Sequence, residues 1–111
     1  MSADPVDLAT FEALRETTGA EFARELVDTF LAEAPSMLAD LRQSFERQEA
    51  DRFRRAAHSL KSNSNTFGAL PLGVLAKQLE MTGVAQASAP AIAAVEAEYA
   101  RVAAALAEIA K

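Results

Sequence analysis

The 111 residues hold one histidine and no cysteine. His58 is therefore the only evident nucleophile or general base near neutral pH, because imidazole is the side chain whose ordinary pKa lies in that range. The four glycines stand singly, so no GxGxxG or P-loop pattern is present to cradle a nucleotide's phosphates. No carboxylates cluster with the histidine at metal-ligand spacing, and without cysteine there are no disulfides or thiolate zinc sites. Scattered acids are all that the sequence offers as partners for a Ser–His–Asp triad.

His58 has Arg54 and Arg55 one turn before it, and Lys61 and Ser62 one turn after it. A neutral, exposed imidazole can attack phosphorus through a ring nitrogen. Nearby cations disfavour protonation of the ring, which keeps it nucleophilic. They also offset the negative charge on a phosphoryl group in transfer. A phosphoryl-accepting histidine is thus one reading. A solvated histidine among ordinary surface cations is the other, and the local residue types leave both open.

Either reading needs His58 on the outer face of a helix. With Phe53 set at zero, Ala57, Leu60, Ser64 and Phe67 fall within roughly 40° on a helical wheel, whereas His58 falls at about 140°. That stripe predicts a helix with Asp51 as N-cap and Gly68 at its end, and it turns the imidazole to solvent. Ser62, at about 180°, and Asn65, at about 120°, share the His58 face. Asn63 reads as a solvated polar position and Phe67 as core, with a place on an apolar docking rim as the alternative for Phe67.

The same period runs through the rest of the chain. Leu8, Phe11 and Leu14 predict a short first helix over about 7–17. Phe22, Leu26, Phe30 and Ala34, widened by Ala23 and Val27, predict a second over about 20–34. Pro35 is expected to break it and to open a third helix through Leu38, Leu41 and Phe45 to about 47. Beyond Gly68, Pro71 opens a helix through Leu75 and Leu79 to about 82, with Lys77 and Gln78 on the surface. A loop over Gly83 and AQASAP precedes the last helix, from about 90 to the C-terminus. There Ile92, Val95, Tyr99, Val102, Leu106 and Ile109 step 3-4-3-4-3, the seam of a packed bundle. Glu21, Glu25 and Asp28 read as a solvated face. The expected fold is all-α: an antiparallel up-down four-helix bundle with a short additional N-terminal helix, in one domain over 1–111.

Composition sets the outer limits. Half of the residues are hydrophobic and 24% are charged, which fits a folded globular chain and excludes a disordered tail. The net charge of −5 argues against general binding to nucleic acid or anionic lipid. Arg54, Arg55 and Lys61 nonetheless make a local basic patch suited to an acidic partner pocket. No apolar run approaches the roughly 20 residues of a membrane span. The start, MSADPVDLA, has no basic, apolar signal segment, so the expected location is the cytoplasm.

The segment AAHSLKSNSNTFGA, residues 56–69, resembles the motif of histidine-containing phosphotransfer (HPt) domains. That motif reads His, a variable residue, Leu, Lys, Gly, and a further Gly some ten positions after the His. Here these are His58, Ser59, Leu60, Lys61, Ser62 and Gly68. The segment GAEFARELVDTFLAEAP, the acidic N-cap before the His helix and the Leu75/Leu79–Glu80 pattern are also similar to that family. The resemblance implies a four-helix bundle with an exposed phosphoacceptor, His58. It implies that Lys61 neutralises phosphoryl charge, that Leu60 is core, and that Gly68 allows tight packing or helix exit.

It further implies a phosphorelay carrier rather than an enzyme. Such a carrier accepts phosphate from a receiver domain's aspartyl phosphate and passes it to another receiver. It has no ATP, metal or cofactor site of its own, the Mg²⁺ belonging to the receiver. The implied partners are receiver domains of response regulators and of a hybrid histidine kinase, met by a monomer. Arg54, Arg55, Ser62, Asn65 and Gly68 are the expected docking residues. Ser62 departs from the family's glycine and puts partner choice and rate in question, although its hydroxyl could hydrogen-bond the phosphoryl group. Two other readings are a domain fed directly by a kinase's ATP site, as in chemotaxis-type kinases, and a helical adaptor that binds receivers or kinases without phosphorylation.

Overall fold

The computed structural model describes residues 4–110. Met1–Ala3, part of the start on which the reading of a missing signal segment rests, lie outside the described residues. Five α-helices follow one another: α1 (Leu8–Thr18), α2 (Ala20–Arg47), α3 (Ala50–Phe67), α4 (Leu70–Thr82) and α5 (Ala89–Ile109). Helix α3 packs between α2 and α4, α4 packs on α5, and α5 returns to α2. Helix α1 is the short addition, resting on α2 and α3. Only Gln48–Glu49 and Gly68–Ala69 separate α3 from its chain neighbours, and links that short force antiparallel packing.

The expected break at Pro35 does not occur. Residues 20–47 form one helix with Pro35 inside it. Proline lacks the N–H that would serve the carbonyl of Leu31, at a cost of about 3 kcal/mol. Two features offset that cost. Pro35 is exposed, so the missing bond falls on the side open to water. The buried positions Ala23, Val27, Phe30, Ala34, Leu41 and Ser44 also keep one 3-4 register straight through it. Burying that continuous stripe outweighs one lost hydrogen bond. The resulting helix has 28 residues, about 42 Å at 1.5 Å per residue, and sets the molecule's long dimension of 41 Å.

Two stripes are narrower than their spacing suggests. Phe22 and Leu8 are exposed, while Ala23 and Phe11 face the core in their place. A further difference lies at the start of α3. Gln48 ends α2 in the left-handed conformation, with φ 55°, so α3 begins almost at once and its N-cap is Glu49. Asp51, the expected cap, sits inside the first turn, where its charge still favours the helix dipole.

In the core, Phe30 packs on Phe67 with ring centroids 5.2 Å apart and meets Tyr99 edge-on. Phe53, Leu60, Leu72, Ile92, Val95, Val102 and Leu106 are fully buried around them. Helix α5 starts at Ser88, whose side chain accepts from the Ala91 N–H, and an Arg42–Glu96 ion pair at 2.7 Å ties it to α2.

Gly68 ends α3 at φ 81°, a conformation that L side chains rarely adopt. Its carbonyl accepts the Asp7 N–H at 2.7 Å. A Cβ at this position would lie 2.7 Å from the Asp7 carbonyl oxygen and 2.9 Å from Thr10 Cβ. The glycine thus permits both the turn and the docking of α1. Gly68→Ala is expected to lower unfolding free energy by about 2–4 kcal/mol, from left-handed strain plus overpacking, as read by urea denaturation. A loss below about 0.5 kcal/mol would show that α1 is not held at this point.

Candidate functional site

Helix α3 buries Phe53, Ala57, Leu60, Ser64 and Phe67. His58, roughly opposite, has 59% of its side chain exposed. Helix α4 buries Leu72, Ala76 and Leu79, which leaves Glu80 at the edge of its buried face where it meets α3. There the Glu80 carboxylate bridges two groups of α3. Its Oε2 is 2.7 Å from His58 Nδ1, and its Oε1 is 2.7 Å from Lys61 Nζ.

The bridge sets protonation states. The Lys61 ammonium, and after it the hydrogen bond from His58, hold the Glu80 carboxyl below the usual carboxylate range, against a smaller opposing effect of burial. Glu80 is therefore ionised at neutral pH. An ionised carboxylate only accepts hydrogen bonds, so His58 must donate from Nδ1. In the neutral ring Nε2 then keeps its lone pair, on a side chain that is mostly exposed. A neighbouring carboxylate thus selects the tautomer of a mostly exposed imidazole.

Around the ring lies an open cleft of about 480 Å³ lined by Arg54, Arg55, His58, Ser59 and Glu80. Arg54 makes a long contact of 3.4 Å to Asp51, and Arg55 donates to the Asp51 backbone carbonyl at the same distance. Both guanidinium groups remain exposed beside the imidazole. Lys61, the residue expected to neutralise phosphoryl charge, is paired within the protein. Its ammonium is engaged by Glu80, and only 25% of its side chain is exposed.

The remaining expected docking residues separate. Ser62 is exposed one turn past His58. Asn65 is exposed too, but its amide lies over Gly73 of α4, where a Cβ would strike the amide oxygen. Asn65 thus also seals the α3–α4 seam. Gly68 is buried under α1 and offers no surface to a partner, so its place among the docking residues is corrected to one of packing. Asn63 donates to the Ser59 carbonyl of its own helix, and Phe67 is core.

Glu80 is the residue that the reading of motifs passed over. It was visible as part of the Leu75/Leu79–Glu80 pattern, but a one-dimensional pattern does not say that it closes on His58. Gly73 gave no signal of its own.

The family model of the Hpt domain matches residues 25–105. The chain therefore belongs to the Hpt domain family, the helical-bundle phosphocarriers of histidine phosphotransfer in two-component systems. Its structure is similar to the crystal structure of histidine-containing phosphotransfer protein B (HptB) from Pseudomonas aeruginosa PAO1, with a TM-score of 0.88. The match has 26% sequence identity and covers 98% of this chain and 96% of that one. No curated protein matches this sequence significantly. Among the described residues, no helix is long and apolar enough to cross a membrane.

Two predictions follow from the carboxylate bridge. Nitrogen-15 NMR of the parent protein should find neutral His58 protonated on Nδ1, and Glu80→Ala should convert it to a mixture of tautomers. A parent ring protonated mainly on Nε2 would contradict the assignment. The second concerns stability. Because folding lowers the Glu80 pKa, its contribution is present above the ordinary carboxylate pKa of about 4.3 and fades as pH falls through the lowered value. The melting-temperature gap between parent and Glu80→Ala should shrink as pH falls below about 4. A gap that widens below that pH would reverse the sign of this linkage.

Proposed function

We propose that His58 carries the phosphoryl group, accepting it from the aspartyl phosphate of one receiver domain and delivering it to another. The observation behind this reading is the His58–Glu80 hydrogen bond, which leaves Nε2 as the free, solvent-facing ring nitrogen. In the forward step the Nε2 lone pair attacks phosphorus and a P–N bond forms. The P–O bond to the aspartate breaks, and the carboxylate leaves with that electron pair. The ring, still protonated on Nδ1, becomes cationic, and the Glu80 carboxylate lies against the new charge. Return transfer reverses each bond change.

Charge is divided among named groups. Glu80 compensates the imidazolium, and Lys61 keeps Glu80 ionised and in place. Arg54 and Arg55 face the cleft from which the phosphoryl oxygens would arrive. Lys61 is engaged by Glu80, so its charge neutralisation acts first through the carboxylate. Ser62, small and exposed, leaves room for a receiver loop close to the ring.

The reading needs no ATP site, metal or cofactor in this chain. The Mg²⁺ that neutralises an aspartyl phosphate belongs to the receiver. The proposed partners are receivers of response regulators and of a hybrid histidine kinase, met in the cytoplasm by a monomer.

The test is incubation with a receiver domain charged by acetyl phosphate. The parent should acquire phosphate that is acid-labile and alkali-stable. His58→Gln should acquire none and melt within a few degrees of the parent, since the ring is mostly exposed. Labelling that persists in His58→Gln would overturn the assignment.

A further inference from the structure

Local preference does not account for Gly73, which stands inside α4 where alanine would be more favourable. Packing does. Gly73 is buried, and a Cβ there would strike the amide oxygen of Asn65 on α3 and lie 3.1 Å from Asn65 Cγ. Asn65 comes seven residues after His58, and Gly73 comes seven residues before Glu80. Seven residues are nearly two whole turns, about 10.5 Å along a helix. In antiparallel helices the two spacings coincide. Asn65–Gly73 and His58–Glu80 are therefore two contacts of one seam, with the buried Ala76 between them on α4.

We propose that Asn65 and Gly73 are positioning residues for His58. Their contact sets how near α4 comes to α3, and so whether the Glu80 carboxylate reaches His58 and Lys61 together. The inference deepens the phosphotransfer reading and rests on it only for the consequence in phosphate transfer. Packed helix axes stand about 8–10 Å apart, according to the side chains between them. Glu80 Oε2 is 2.7 Å from His58 Nδ1, so a retreat of about 1 Å by α4 loses that hydrogen bond. The same margin applies to Oε1 and the Lys61 ammonium, also 2.7 Å apart.

One methyl group in the seam uses up this margin. Asn65 does not escape a methyl at residue 73 by turning its amide about χ2, because Cγ itself is too close. The whole side chain would have to change χ1, and a helix leaves few wells for that. Backing α4 away is the other way to make room, and it carries the Glu80 carboxylate off the ring. Removing the Asn65 amide makes the same room without moving α4. The two positions are thus matched: glycine on α4 is what lets an amide lie on α3 while the helices stay close.

The experiment compares the parent with Gly73→Ala, with the double variant Asn65→Ala/Gly73→Ala, and with Leu106→Ala, which removes core packing on α5. Nitrogen-15 NMR reads the tautomer of neutral His58, and phosphoramidate, a small donor that needs no docking, reads its reactivity. Gly73→Ala should raise the fraction of rings protonated on Nε2 at least threefold and slow labelling at least threefold. The double variant should return both readouts to within twofold of the parent. Leu106→Ala should melt lower yet keep the parent's tautomer, which separates positioning from a general loss of stability. A folded Gly73→Ala with the parent's tautomer would overturn the proposal, as would failure of Asn65→Ala to rescue it. If Gly73→Ala alone does not fold, the double variant decides: folded with the parent's tautomer it supports the proposal, and otherwise it overturns it. A tautomer that moves while labelling keeps the parent's rate would leave the positioning role standing and remove the carboxylate bridge from the phosphotransfer reading.

Discussion

Helix α3 is gripped on two sides, and the direction of its outer face depends on that grip. Phe53, Ala57, Leu60, Ser64 and Phe67 are sunk between α2 and α4, so the helix has no freedom to roll about its axis. Each of these side chains would lose burial if it did, at about 25 cal/mol for every Å² of apolar surface exposed. His58 and Ser62 therefore point outward because of residues that are themselves buried. The rest of the molecule supports this constraint. Helix α2 supplies a long wall, α5 closes the bundle from behind, and α1 locks the end of α3 through Gly68.

An exposed imidazole without a neighbour samples both tautomers and many orientations, and only some of them suit attack on phosphorus. The Glu80 carboxylate selects one of each. It works because α4 holds it at a mostly shielded edge, with 20% of its side chain exposed, where water competes less for its lone pairs. Lys61 completes the arrangement by keeping that carboxylate charged. With the ring neutral, the three groups sum to a net charge near zero, and Arg54 and Arg55 add exposed positive charge beside them. Exposed charges of this kind act mainly on the rate of encounter with a partner of opposite charge.

Pro35 shows how local preference yields to packing in this chain. A proline after an alanine-rich turn ordinarily reads as a boundary. The 3-4 register of buried residues on either side of it never slips, however, and that uninterrupted phase was the better guide to one helix than the proline was to two. The reverse holds for Phe22 and Leu8. They extend apolar stripes in the sequence but lie near helix starts, where no neighbouring helix covers them.

The sequence by itself determined the helical class, most helix limits, the core of α3, the outward phase of His58 and the motif around it. These are local properties: periodicity, end signals and spacing are written along one segment and need no knowledge of its neighbours. Tertiary structure decided what depends on two segments meeting. It joined residues 20–47 into one helix, buried Gly68 under α1 and laid Asn65 over Gly73. It also brought Glu80, on a different helix, onto both His58 and Lys61. That last contact fixes the orientation and tautomer of an exposed histidine. It could not be read from spacing, because the roll of α4 against α3 is settled by how Leu72, Ala76 and Leu79 pack in three dimensions.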